Sequence, residues 1–412
     1  MVYNHMNTPQ LLSPAGDLER LKVAFAYGAD AVYIAGKALG MRAKARNFEL
    51  DEMSDGVRYA HSLEKKVYVT VNIVARNEDF IDIEDYFVTL GKIKPDALII
   101  SDLGIFDMAR RTLPDMEIHI STQANTTNFA SVNFWKNLGA SRIILARELS
   151  LKEIREIKER SPGIELESFV HGAMCMAYSG RCLISNYMNG RDANRGGCSH
   201  PCRWNYALVE EKSGAIFPVY ESDEGTHIFS SKDLCMIEYI PELMDAGISS
   251  FKVEGRMKTV YYVAAVTKTY REAIDDFITS PELYAERISY YKDQLGKICH
   301  REYTTGFYFS PISEEDHCYT DGSHTKTQDF YAIVDSYDCT TGFAFVQQRN
   351  KFGVGDFVEI LKASGENFTQ VIDELFDIEG NPVVSAPHPQ QKLKFKVIEP
   401  VERHDIIRRM VR

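Results

Sequence analysis

The chain has 412 residues, 44% hydrophobic and 26% charged, with 47 Lys and Arg against 59 Asp and Glu for a formal net charge of −12. That balance excludes an intrinsically disordered chain, and the length suggests two or three domains with sizeable cores. It also excludes a protein that grips polyanions by overall charge, so any nucleic-acid contact must come from local patches. The polar start MVYNHMNTPQ shows no charged-then-apolar leader, and no apolar run approaches the roughly eighteen residues of a membrane span. A cytoplasmic protein without a membrane partner is expected.

Short β-rich runs bounded by turn residues come first: 11–16, 31–36, 67–72, 97–102, 117–122, 142–147, 165–172 and 250–255. Amphipathic helical segments lie between most of them. Asp17 caps one that carries Leu18, Leu21, Ala24 and Phe25 on a face, and Ser150 with Glu153 forms a capping box before another. Eight strands alternating with helices predict an α/β fold, a (β/α)8 TIM-like barrel; an open doubly wound sheet is the alternative, because alternation does not prove closure. In such barrels chemistry sits where strands end, which singles out Asn72, Asp102, Gln123, Arg147, His171, Glu254 and Arg256. Lys252, Glu254 and Arg256 alternate along the eighth strand and share one face, where three charges are costly unless paired or bound to something.

The stretch 167–202 follows the seventh strand and holds four of the eight cysteines. With Cys235 the spacing reads Cys175-x6-Cys182-x15-Cys198-x3-Cys202-x32-Cys235. In a reducing compartment such clustering points to a metal or catalytic site rather than disulfides. Zinc usually takes closely paired ligands, and only Cys198 and Cys202 have that spacing; an iron–sulfur cluster accepts thiolates from separate loops. Cys299, Cys318 and Cys339 stand apart and read as structural thiols. Four arginines, Arg181, Arg191, Arg195 and Arg203, are interleaved here with Tyr178, Tyr187, Trp204 and Tyr206, a mixture that suits a splayed-out base and its phosphates, or equally pairs with acids of the insertion. Residues 204–229 read as a hairpin turning at Lys212-Ser213-Gly214 that brings the chain back to Cys235, so that cysteines and hairpin form one lid-like insertion over 172–240.

Helices at 258–278 and 281–297 close the barrel domain, which spans 1–300, and 301–325 reads as a polar linker. Domain 326–412 changes to short alternating strands and is expected to be a small β-barrel-like domain. Its last stretch, from Gln391, carries seven Lys and Arg against three acids.

The motif Glu167-Ser-Phe169-Val-His-Gly172-Ala173-Met174-Cys175, followed by Gly180-Arg-Cys182-Leu-Ile184-Ser185, resembles that of the collagenase-like peptidase family of unassigned catalytic type, peptidase U32. The resemblance extends through SPAGDLERLKVAFAYGADAVYIAG, STQANTTNFASVNFWKNLGASRIILARELSLKEI, SFKVEGRMK and APHPQQKLKFKV, essentially the whole chain. It implies, despite the peptidase label, an iron–sulfur enzyme that hydroxylates the wobble uridine in the tRNA anticodon loop to 5-hydroxyuridine with prephenate as co-substrate. Other relatives hydroxylate ribosomal RNA or act on small molecules. The family spacing implies a [4Fe–4S] cluster on Cys175, Cys182, Cys198 and Cys235, with Cys202 the alternative to Cys198. Arg147, Arg191 and Arg256 are the candidates for holding the dicarboxylate, and His171, Glu254, Arg256 and Gln123 for catalysis, since guanidinium forks hold carboxylates in two-point fashion. Arg42 and Arg46 are secondary anion-binding candidates. Hydrolysis is the competing class, but no G-x-S-x-G or H-E-x-x-H occurs, and Ser62-x-x-Lys65 and Ser249-x-x-Lys252 match a Ser–Lys spacing only by accident.

Overall fold

The computed structural model describes residues 8–37, 47–175, 177–203, 207–209, 212, 216–218, 231–311 and 328–410, so Arg42, Arg46, Trp204, Tyr206 and Cys318 lie outside the described residues. Seven parallel strands follow one another: β1 (Gln10–Pro14), β2 (Ala31–Ile34), β3 (Lys66–Val71), β4 (Ala97–Ile100), β5 (Glu117–Ile120), β6 (Arg142–Ile144) and β7 (Glu165–Ala173). Helices α1 (Leu18–Ala26), α2 (Leu50–Ser62), α3 (Ile83–Ile93), α4 (Leu103–Thr112), α5 (Phe129–Asn137) and α6 (Leu151–Arg160) connect them. After β7 come α7 (Ile184–Asn189), the antiparallel pair β8 (Ala207–Val209) and β9 (Ile216–Pro218), β10 (Asp233–Cys235) and α8 (Ile240–Asp245). Strand β11 (Ser250–Val253) then pairs in parallel with both β1 and β7, through Gln10↔Ser250 and Ser250↔Glu167. That double pairing closes an eight-stranded barrel and rules out the open sheet.

Local chemistry explains the elements. Strands β2, β4 and β11 are buried at every position, as expected for parallel strands covered by side chains within and helices without. Asp17 accepts the Arg20 N–H at the start of α1, Ser150 and Glu153 form the capping box of α6, and Asp102 accepts the Gly104 and Ile105 N–H groups to cap α4. Asp102 is therefore a helix cap rather than a cavity residue.

The barrel interior is partly polar. The buried Glu167 carboxylate accepts from Lys252 Nζ at 2.8 Å, Ser250 Oγ at 2.9 Å and Arg142 at 3.2 Å. Arg142 also donates to Gln10 Oε1 at 2.7 Å and Glu165 at 2.6 Å. Burial alone would raise the Glu167 pKa, but the Lys252 and Arg142 charges outweigh it and hold the carboxyl down at about 2. Two cations and two carboxylates balance, which is what makes such a buried cluster tolerable.

Helices α9 (Val260–Thr279) and α10 (Pro281–Gly296) follow, then β12 (Tyr303–Thr304), which adds to β10. The first part of the stretch read as a linker is therefore packed: Tyr308 is buried and its hydroxyl donates to Phe169 O at 2.6 Å. Its polar, turn-rich composition concealed two tyrosine anchors.

The C-terminal domain comprises β13 (Gln328–Asp338), β14 (Phe343–Gln348), β15 (Phe352–Gly353), β16 (Phe357–Leu361), β17 (Phe368–Val371), β18 (Phe376–Asp377), β19 (Ser385–Ala386), β20 (Lys392–Lys396) and β21 (Ile406–Met410). Seven of these form an antiparallel sheet in the order β17-β16-β21-β13-β14-β20-β18, and β15 pairs with β19. The domain has its own core around Val346, Ile360, Phe395 and Ile407, while Ile333, Leu361 and Ile406 pack into the core of the barrel. Polar clasps cross the same boundary: Tyr27 Oη to Leu361 O at 2.8 Å, Lys268 Nζ to Lys362 O at 2.7 Å, and Arg408 to Gln294 Oε1 at 2.6 Å.

Candidate functional site

A cavity of about 360 Å³ opens at the end of the barrel where the strands finish, within the range of small-molecule sites. Its floor holds Tyr33, Thr70 and Lys252; its walls hold Asn72, Gln123, Arg147, Glu254 and Arg256; the insertion contributes Tyr178, Asn194 and His200. Lys252 Nζ, bonded to Glu167, lies 4.6 Å from the Tyr33 ring centre. Arg256 is buried and donates to Thr70 Oγ1 at 3.2 Å. Arg147 stacks on Phe169 at 4.2 Å and donates to Ala173 O at 2.7 Å.

Among the described residues, four atoms around this cavity are buried and have no hydrogen-bond partner: Asn72 Oδ1, Gln123 Oε1, Asn194 Oδ1 and Arg147 Nε. Buried polar atoms are nearly always paired, so a group of orphans around one cavity marks a place for a polar ligand. Asn72 is steered by its side-chain Nδ2–H, which donates to Ser121 Oγ at 3.1 Å. Gln123 is covered by Gly180, whose φ is +73° and where a Cβ would stand 2.3 Å from Gln123 Oε1. Glycine is required there for the insertion to close over the cavity wall.

Cys175, Cys182, Cys198 and Cys202 line this same cavity, and none is in a disulfide. Cys198 Sγ accepts the His200 N–H at 3.4 Å. Cys235 is not among the lining residues. It lies on β10 opposite His171, with its thiol 4.0 Å from Tyr270 Oη, and burial pushes its pKa up to about 12. As a donor set, four thiols on one cavity suit an iron–sulfur cluster. In this conformation, among the described residues, no three His, Cys, Asp or Glu side chains are gathered at metal-holding range.

His171 is buried and does not line the cavity. The register between β7 and β11 slips so that Phe169 faces Lys252 while His171 faces Val253, and this bulge at Val170 turns His171 away from Phe169's side. Its ring packs among Tyr262, Tyr270 and Tyr303. Burial, with His300 and Lys258 charges adding, brings its pKa down to about 3, so it is neutral at physiological pH. Arg191 also lies off the cavity lining and bonds Cys198 O at 3.5 Å, and Arg195 is engaged by Asp79. Tyr187 is 88% exposed and Tyr178 46%, with Arg181 exposed between them. Asn194, Thr70 and Lys252 complete the cavity lining. Nothing in the spacing pointed to Asn194, which the insertion brings to the rim from far along the chain.

A closed (β/α)8 barrel with a thiol-lined, ligand-sized cavity at its C-terminal face defines a TIM-barrel enzyme class elaborated by a cysteine-rich insertion. The peptidase family U32 model matches residues 16–317 and the peptidase family U32 C-terminal domain model matches 326–408. The chain belongs to peptidase family U32. It is 42% identical over 401 residues to tRNA hydroxylation protein P1 of Bacillus subtilis, covering 97% of this chain and 94% of that one. It is 36% identical to tRNA hydroxylation protein P of Escherichia coli, covering 93% and 92%. The 23S rRNA 5-hydroxycytidine C2501 synthase of Escherichia coli is 38% identical over 269 residues, 65% of this chain and 40% of that protein.

Proposed function

We propose that this protein is an RNA hydroxylase that converts the wobble uridine of tRNA to 5-hydroxyuridine, with a small dicarboxylate, prephenate by family resemblance, as co-substrate. The observation that carries the reading is the cavity itself, where Arg147, Arg256 and orphaned Asn and Gln oxygens surround a ligand-sized space beside four thiols. The names of near-full-length relatives supply the RNA and the hydroxylation. Two guanidinium groups suit a dicarboxylate, and the orphaned oxygens of Asn72, Gln123 and Asn194 suit its hydroxyl or the imide N–H of an entering uracil. Tyr178 and Tyr187 offer exposed rings at the insertion for an unstacked base.

A [4Fe–4S] cluster would supply one-electron redox capacity. Cys175, Cys182 and Cys198 are common to both ligand sets; the fourth is Cys235 by family spacing and Cys202 by its place on the cavity. Iron and sulfide content of anaerobically purified Cys202→Ser and Cys235→Ser separates the two, since only loss of the true ligand depletes the cluster. Colourless, zinc-loaded wild-type protein would remove the cluster altogether.

Hydrolysis has less support. Lys252 Nζ is committed to Glu167 at 2.8 Å, so the Ser249–Lys252 spacing does not form a Ser–Lys dyad. The decisive experiment is nucleoside mass spectrometry of tRNA and ribosomal RNA from a deletion strain complemented with wild type, Cys175→Ala or Arg256→Ala. Loss of 5-hydroxyuridine from tRNA alone, restored only by wild type, is expected. A hydroxylated ribosomal nucleoside lost instead would move the substrate, and unchanged RNA would end the hydroxylase reading.

A further inference from the structure

The outward side of the C-terminal sheet carries a pattern that the cavity does not use. Along β14 the residues alternate between the core and the surface, with Ala344, Val346 and Gln348 buried and Phe343, Phe345 and Gln347 half-buried. Strand β20 runs antiparallel to it and alternates likewise, burying Leu393 and Phe395 and turning out Lys392, Lys394 and Lys396. The register places Lys396 against Phe343, Lys394 against Phe345 and Lys392 against Gln347, and β18 sets Phe376 against Lys394. Phe343 and Phe376 meet edge to face at 5.8 Å. Lys394 Nζ lies 5.7 Å from the centre of the Phe343 ring and 5.9 Å from that of Phe345, and Lys396 Nζ lies 5.7 Å from Phe343.

A soluble sheet usually fills its water-facing side with mixed polar side chains, whereas here three half-buried phenylalanines keep part of their ring surface on that side. Three lysines standing among them, in a chain of net charge −12, concentrate positive charge where the total is negative. Two acids in register with this face are hydrogen-bonded locally: Asp338, opposite Phe343, accepts from Thr340 N and Thr341 Oγ1, and Asp377, opposite Leu393, accepts from Asn381. The two arginines of β21 are not part of this patch, since Arg408 is spent on Glu359 and Arg409 on Asp356 and Tyr331.

We propose that the Phe343, Phe345, Phe376, Lys392, Lys394 and Lys396 face is a docking platform for a single-stranded loop of the RNA substrate, bases stacking on the rings and phosphates meeting the lysines. Unpaired RNA is the occupant that needs both halves of the pattern. A duplex hides its bases and would use the lysines alone, and an acidic protein segment would leave the rings without flat partners. The face would hold the RNA while the barrel cavity does the chemistry, so this inference rests on the RNA-hydroxylase reading.

The test uses the full-length protein and fluorescently labelled, deproteinised tRNA, with affinity measured by anisotropy across a salt series. Lys392→Ala/Lys394→Ala/Lys396→Ala is expected to weaken binding more than tenfold and to lower the log–log salt slope by about 2, the release expected for three single-strand phosphate contacts. Phe343→Leu/Phe345→Leu keeps the face apolar and is expected to cost about tenfold per ring with the salt slope unchanged. A control triple, Lys92→Ala/Lys94→Ala/Lys152→Ala, removes the same charge elsewhere and is expected to lose no more than about twofold. Thermal midpoints confirm that each variant is folded, and Lys392→Glu/Lys396→Glu stands in should the triple prove unstable. Wild-type affinity and salt slope in the face variants, in a protein that binds and hydroxylates tRNA, would overturn the platform and leave the hydroxylase reading standing. An equal loss in the control, or a 16-base-pair RNA duplex competing as well as a U-rich single strand, would also overturn it. Wild-type protein that neither binds nor modifies RNA would bring down the hydroxylase reading and the platform with it.

Discussion

Arg147 and Arg256 differ in how firmly they are held, and that sets what each can contribute to a bound carboxylate. Arg256 is buried against Thr70, whereas one buried N–H of Arg147 has no partner among the described residues. If Arg256 holds the proposed dicarboxylate, Arg256→Ala removes a charge-assisted contact worth about 2–3 kcal/mol and should raise the co-substrate KM by tens of fold, measured by co-substrate titration. Arg256→Lys keeps the charge but not the fork and should recover only part of the loss. At Gly180 the backbone sits at φ +73° over Gln123. Gly180→Ala should destabilise the insertion by about 1–2 kcal/mol through its positive φ and weaken the co-substrate as Gln123 is displaced, the second effect being absent if the insertion does not close over that wall. His171 shows the limit of residue-level reading. It stands at a strand end beside cysteines, yet a single bulge at Val170 sends it to the tyrosine cluster, and bulges leave no dependable mark in sequence.

At the scale of elements, the eight barrel strands were legible because they are short, mostly apolar runs bounded by turn residues, β2, β4 and β11 being buried at every position. Strand β21 was not, since Arg408 and Arg409 interrupt its apolar alternation; Arg408 is buried because β16 offers it Glu359. Such compensation joins residues 49 positions apart and is invisible along the chain. Burial would raise the Glu359 pKa, but the Arg408 bonds and charge, with Gln328 and Lys297 adding, bring it down to about 2 from an ordinary 4.5. A depressed folded pKa means that the unfolded chain binds more protons between those values. The stabilisation is therefore complete above pH 4.5 and lost as pH falls towards 2, at most about 3 kcal/mol. Thermal midpoints at pH 7, 5 and 3 should fall more steeply for wild type below pH 5 than for Glu359→Gln, which lacks the titrating group and should already be less stable at pH 7.

Across the whole molecule, barrel and C-terminal domain share buried apolar contacts and several clasps, so they should unfold together. Differential scanning calorimetry is expected to show one transition, and Lys268→Ala, which empties the contact with Lys362, Gly365 and Asn367, should lower it or split it in two. The alternation of strands and helices carried the architecture in the sequence, while the cavity's polar lining depended on which loops meet. Asn194 and Gly180 come from an insertion whose path no periodicity describes. The wall that supports the thiols is completed only by β11, which lies about fifty residues beyond Cys202 in the chain. At synthesis rates of about 5–20 residues per second, the four thiols of residues 175–202 leave the ribosome some seconds before the strand that closes their scaffold. During that interval the scaffold around them is unfinished, so assembly of the proposed cluster in the closed barrel would have to wait for translation to pass Val253.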